Sequence, residues 1–280
     1  RTTCGIVSMM GLSLNEITIG VVFVYVALAW LKTVSSGNVT VMDVLWGMGF
    51  VLIAWTRFLL TEDHTVAALA CLTCVTIWGL RLGFVLHQRT KKRGEDPRYV
   101  RMRETAGSNW WWVSFLQVFM LQGILLLIIA LPIFSLIPEE SGPLEWTTVT
   151  ISLSILCFIG FILGLSLEHK ADMELKKYRE KHGPGHLKTD GMFSVSRHPN
   201  HLGEAILWWS IGAFAVVVGG VSALPILIGP LILTLLLRYV SGVRMSEVDL
   251  QEREGYQAWV SSTPAMFANP IKTLLKKNAD

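Results

Sequence analysis

Trp146 to Leu167 reads WTTVTISLSILCFIGFILGLSL, twenty-two residues without a single charge, and the next residue is Glu168. A helix crossing a hydrocarbon core of roughly 30 Å needs about 20 mainly apolar residues, because no water is there to satisfy its backbone. This stretch meets that requirement. Six more do so along the chain: Leu14 to Leu31, Val41 to Leu60, Val66 to Leu86, Trp111 to Ile137, Leu202 to Val218 and Ala223 to Tyr239. Composition agrees, with 52% hydrophobic and only 16% charged residues in 280. The expected fold is therefore all-α, a polytopic integral membrane protein of about seven transmembrane helices. Gly219, Gly220 and Pro225 interrupt one long apolar run, and Gly229 and Pro230 can kink the last helix, so a re-entrant hairpin is the alternative for the final pair. Arg1 to Gly11 carries one charge ahead of a weak apolar run, and the first span is read as retained rather than as part of a cleaved signal peptide.

Charge alternates between successive connections. His87 to Asn109 holds seven Lys or Arg, Glu168 to His201 holds seven more, and the tail after Arg238 adds Arg244, Arg253, Lys272, Lys276 and Lys277. The opposite connections are short and acidic, with Glu62 and Asp63 in one and Glu139, Glu140 and Glu145 in the other. The positive-inside rule then gives an amino terminus outside and a carboxyl terminus in the cytoplasm. The membrane is a bacterial inner membrane or the endoplasmic reticulum. The basic face, denser than the net charge of +3 suggests, suits phosphates, anionic lipids or an anionic cofactor, with nucleic acid the weaker reading. Cys71 and Cys74 form a C-x-x-C on an apolar helix, where small apolar side chains explain them better than zinc or redox chemistry. Five of the seven histidines lie between His169 and His201, too few for a histidine-box di-iron site, and no metal is expected.

The densest polar constellation runs from Asp190 to Glu204 (DGMFSVSRHPNHLGE), at the entrance to the sixth span. Pro199 suits a first helical turn, whose free N–H groups favour anions, and Arg197 offers a planar fork for phosphate. Asn200 and Glu204 are four apart and share a helix face, as do Glu168 and Asp172. Asp43, Arg81 and Arg238 are ionisable groups inside or closing apolar spans, and such groups are functional candidates by default. Arg57, toward the other side, is read as a snorkelling residue.

The run Ser196 to Glu204, followed by Trp208 and Trp209, resembles the signature of the steroid 5-alpha-reductase superfamily, in its branch of unknown function. Asp43 to Phe50, Trp78 to Leu82, Gly94 to Tyr99, Gln122 to Pro132, and Glu247 with Gly255 and Tyr256 match that branch in order, over roughly Val41 to Pro270. The chain is read as a single domain overall, with the N-terminal segment and first helix over residues 1–40 and a reductase-like membrane domain over 41–280. The resemblance implies cytoplasmic loops that bind NADPH, with Arg81, Asp172, Arg197, His198, Asn200, Glu204 and Arg238 at cofactor-binding positions. It also implies hydride transfer to a C=C conjugated with a carbonyl, in a steroid or another lipophilic enone, alongside contact with membrane lipids. A neutral acid would hydrogen-bond the carbonyl oxygen, and a carboxyl group in an apolar site can keep its proton for that role. In the steroid reductases the acid is a glutamate paired with a tyrosine. The matching positions here are Asp43, shorter by a methylene, and Trp78, which has an indole N–H but no phenol. The Arg-His-Pro-Asn core also resembles sterol C14-reductases and isoprenylcysteine carboxyl methyltransferases. The alternatives are accordingly an S-adenosylmethionine-dependent methyltransferase, in which Glu247 would serve, and a non-catalytic lipid-binding relative.

Overall fold

The computed structural model describes residues 11–142, 145–183 and 185–267, without the side chains of residues 92 and 93. Cys4 and the tail lysines Lys272, Lys276 and Lys277 lie outside the described residues. Among the described residues all regular structure is helical, and seven helices are long and apolar enough to cross a membrane. They are α1 (Leu14–Ser36), α2 (Val41–Leu60), α3 (Val66–Arg93), α4 (Pro97–Ile129), α5 (Thr148–His182), α6 (Pro199–Gly219) and α7 (Val221–Val248). A short eighth helix, α8 (Tyr256–Ser262), follows them.

The seven expected spans each have a helix, but the fourth ends at Ile129, short of Ile137, with a separate helical segment over Leu131–Leu136, and three helices run past their expected spans. α3 continues to Arg93 and α5 to His182, and the basic segment before Trp111 is helical from Pro97. Hydropathy stops where charges begin. Lys, Arg, Glu and Gln are good helix formers, so the backbone goes on turning after the apolar stretch ends. In α5 the last turn holds Arg179, Lys181 and His182, which favour the negative end of the helix dipole. The final pair forms two helices, each long and apolar enough to cross a membrane, as the count of seven expects. Gly220, at φ +70°, separates α6 from α7, which opens with a tight turn of helix over Val221–Leu227 containing Pro225. π-helical turns at Phe115–Met120 in α4 and Leu236–Val240 in α7 have no signature in the sequence.

The chain divides into two compact units, Arg1–Trp146 with Ala215–Gly229, and Thr147–Phe214 with Pro230–Asp280. In the first, α2 and α3 meet backbone to backbone: a Cβ on Gly47 would lie 2.8 Å from the Gly79 carbonyl oxygen, and one on Gly79 would lie 2.6 Å from that of Gly47. Small residues at a crossing are what membrane helices use to pack, since lipid offers no hydrophobic drive. Arg57 corrects the snorkelling expectation. It is only 1% exposed, and its Nε donates to the Ile137 carbonyl at 2.7 Å while Nη1 donates to Asn15 Oδ1 at 2.8 Å. Its guanidinium also lies 4.3 Å from the Phe134 ring centroid. The side chain turns inward because carbonyls freed at Phe134 and Ile137, where the helical segment Leu131–Leu136 ends, accept its protons.

In the second unit α5 and α6 cross the same way. A Cβ on Gly164 would lie 2.7 Å from the Gly203 carbonyl oxygen, and one on Gly203 would be 2.6 Å from the Glu168 nitrogen. Beyond the spans a small core of Phe193, Tyr256 and Trp259 carries the polar chain ends, with Trp259 Nε1 donating to the Phe193 carbonyl at 2.9 Å.

Candidate functional site

Each unit holds one hydrogen-bonded cluster that includes candidate residues. In the first, the segment Gly94 to Tyr99 builds a helix start. Gly94 turns the chain at φ +75°, Asp96 caps α4 by accepting from the Arg98 N–H at 2.9 Å, and Pro97 takes the first position, where no donor is needed. Asp96 also accepts from Arg98 Nε and Nη2 at 2.9 Å each. Burial would raise the Asp96 carboxyl, but the Arg98 hydrogen bonds and the Arg98 and Arg101 charges outweigh it and hold it below the usual carboxylate range. This start is tied to α2, since the Asp96 N–H donates to Thr40 Oγ1 at 2.8 Å. The Val39 N–H likewise donates to Glu95 Oε1 at 3.1 Å. Arg103 bridges Glu95, at 2.6 Å, and the Gly37 carbonyl.

Asp43 lies at the centre of that lattice. The Tyr99 hydroxyl donates to Asp43 Oδ1 at 2.7 Å, and Arg98 Nη2 stands 3.4 Å from Oδ2. The Tyr99 ring is buried while about a quarter of the Asp43 side chain stays accessible, 26% by area. The carboxyl thus has a phenol partner, supplied by α4 and not by the Trp78 position. Trp78 itself is fully buried in α3, with its ring 5.5 Å from Phe50 and steeply tilted to it. Arg81, one turn further along α3, is half-buried.

In the second unit, Gly160, Gly164, Glu168 and Asp172 recur every four residues on α5, so the crossing glycines and the two carboxylates share one face. Glu168, Asp172 and Glu204 are 2%, 8% and 6% exposed, and Asn200 is half-buried one turn before Glu204. Arg197 and His198 are both committed to Glu247. Arg197 Nε donates to Glu247 Oε1 at 2.7 Å, His198 Nε2 lies 3.1 Å from the same oxygen, and Tyr256 Oη donates to Oε2 at 3.2 Å. Arg197 Nη1 also donates to the Thr263 carbonyl at 2.6 Å, and the Arg197 and His198 N–H groups donate to Pro264 and Ala265. Burial, followed by the Glu247 charge, pushes the Tyr256 phenol up. Arg238 sits in the π turn of α7, half-buried, with its guanidinium 5.0 Å from the Tyr239 ring centroid. No group of three His, Cys, Asp or Glu side chains suited to a metal occurs among the described residues.

The family model described as "Protein of unknown function (DUF1295)" matches residues 29–263. The chain belongs to the DUF1295 family. No curated protein and no solved structure matches it. The matched range contains both clusters and ends at Thr263, whose carbonyl accepts from Arg197. In this member the structure brings Asp43 to Tyr99 and Arg98, and Arg197 and His198 to Glu247. It leaves Trp78 in the apolar packing of α2 and α3. The sequence places Arg98 and Tyr99 in the matching segment Gly94 to Tyr99 but assigns them no role. The signal available was the Asp96-Pro97 pair, a cap followed by a first-turn proline, which starts a helix whose next residues must face its neighbour.

Proposed function

We propose that this DUF1295 protein is an NADPH-dependent reductase of a lipophilic enone, as its resemblance to the steroid 5-alpha-reductase superfamily implies. The observation that carries the reading is the 2.7 Å hydrogen bond between Tyr99 and Asp43. An enone reductase needs an acid that can meet a carbonyl oxygen where negative charge develops. Trp78 cannot share a proton with Asp43, whereas a phenol can. Tyr99 restores the carboxyl–phenol pair from another helix. Its placement at the polar end of an apolar helix suits a lipid carbonyl entering from the membrane.

The residues of the second unit fit the polar parts of a nucleotide in kind. Glu204 and Asp172 are acceptors for ribose hydroxyls, and Asn200 offers a donor and an acceptor for a carboxamide. For the phosphates, Arg238 is better suited than Arg197, whose fork is already held by Glu247 and Thr263. Arg197 and His198 instead position the loop that presents Asn200. Bound NADPH would supply the hydride. The chain's part is to orient the enone, to stabilise charge on its oxygen through Tyr99 and Asp43, and to exclude water. Arg98 Nη2, 3.4 Å from the far oxygen of Asp43, helps hold that carboxyl beside Tyr99.

The test is a cofactor screen by thermal shift of the purified protein in detergent, since a ligand of the folded state raises apparent stability by mass action. NADPH should raise the midpoint and S-adenosylmethionine should not, Glu204→Ala should abolish the rise, and an enone panel should drive NADPH oxidation. A shift with S-adenosylmethionine alone, or no shift and no oxidation with NADPH, overturns the proposal.

A further inference from the structure

The second unit carries a groove of about 450 Å³ that takes no part in the site described above. Its walls are Leu156 and Cys157 on α5 and Ile206, Trp209 and Ala213 on α6. Ser210, also on α6, and Phe267, beyond α8, complete the lining. A volume of this order is typical of sites for small ligands, about 300–1,000 Å³. Its polar atoms are already bonded within the protein: Ser210 Oγ donates to the Ile206 carbonyl at 2.8 Å, and Trp209 Nε1 to Thr234 Oγ1 at 3.0 Å. An occupant with polar groups would find no partner there, so the surface on offer is hydrocarbon.

The walls are also held in place. Gly160 allows α5 to approach α6 so closely that a Cβ there would lie 2.5 Å from Ser210 Oγ, and the Phe158 and Phe214 rings pack with centroids 5.1 Å apart. The groove is therefore a standing feature of the helix pair. Both helices are long and apolar enough to cross a membrane, and the groove is continuous with their outward surface, where Leu156 is 63% exposed. Phe267 lies outside all seven spans yet keeps half its area, 51%, exposed. A large aromatic side chain left open there adds to the apolar lining of the groove.

We propose that this groove binds one hydrocarbon chain of a bilayer lipid, held in a fixed place and distinct from the lipid that exchanges around the other helices. The inference does not depend on the reductase reading. Its test places the full chain in nanodiscs of phosphatidylcholine that bears a photoactivatable diazirine midway along one acyl chain, and maps the adducts by mass spectrometry. Adducts should concentrate on Cys157, Trp209 and Ala213, above those on Ile162 and Leu163, which are exposed on α5 and do not line the groove. Ala213→Trp fills the groove from one wall and Cys157→Trp from the other. Either should bring groove labelling down to the level of Ile162 and Leu163, whereas Ile162→Trp should leave it unchanged. Even labelling of all lipid-facing positions would mean exchanging lipid only, and groove labelling below that level would mean that protein covers it. Either result overturns the proposal, as does full labelling in both groove-filling variants.

Discussion

The pairing of Asp43 with Tyr99 can be measured directly by a double-mutant cycle of Asp43→Asn and Tyr99→Phe. Tyr99→Phe keeps the ring, which the Arg98 guanidinium approaches to 5.2 Å from its centroid, and removes only the hydroxyl that reaches Asp43 at 2.7 Å. Asp43→Asn keeps the size of the side chain and removes the carboxyl group that can hold and give up a proton. Hydrogen bonds to charged groups contribute about 1.5–3 kcal/mol. Asp43 retains a second contact, the longer Arg98 approach at 3.4 Å, and a quarter of its area meets solvent. The coupling should thus fall toward the lower end, about 1–2 kcal/mol. Equilibrium unfolding in detergent reads this term, and NADPH consumption with an active enone reads the chemistry. Loss of general-acid function should lower turnover by about 10²–10⁴-fold in each single variant, with no further loss in the double variant because the two groups act as one unit. The NADPH thermal shift should be unchanged in all three. A coupling indistinguishable from zero would refute the pairing. Wild-type turnover in Tyr99→Phe would refute its role while leaving the cofactor assignment standing.

Arg57→Met keeps much of the buried bulk but strands the Ile137 carbonyl and the Asn15 amide oxygen, and should destabilise the protein by about 2–4 kcal/mol, with Arg57→Lys recovering only part because an ammonium lacks the planar fork. The measurement is the unfolding midpoint in detergent, and an unshifted midpoint in Arg57→Met would show that the guanidinium is not holding these segments. Asp96 is held below the usual carboxylate range, so its contribution is present above the ordinary Asp value of about 3.9 and is lost as pH falls through the lower folded-state value. Asp96→Ala should cost about 1 kcal/mol at neutral pH, as loss of a helix cap does, and should flatten the acid limb of the stability profile. An acid limb as steep as that of the wild type would assign it to another carboxylate.

The spans were legible because the bilayer imposes one requirement on every residue of a crossing helix, and Trp146 to Leu167 meets it without exception. The helix ends were less legible, since Lys, Arg and Glu are compatible with both a loop and a helix in water, and α3 and α5 take the second course. Glycine spacing hinted at close crossings, but Gly160 and Gly164 name no partner until Ser210 and Gly203 stand opposite them. The site was legible in its residue types and not in its pairings. Arg197 has the form of a phosphate fork, yet its partner Glu247 lies fifty residues on, and no local pattern reveals that the fork is occupied. Asp43 was the reverse case. The residue aligned with a reductase tyrosine is Trp78, and a search confined to that position finds the phenol missing. Tyr99 supplies it from fifty-six residues away, through a helix start that Gly94, Asp96 and Pro97 dictate and that Thr40 ties to α2. A carboxyl–phenol pair depends on where two oxygens meet and not on which helices bring them there, so a departure at one aligned position need not remove the pair.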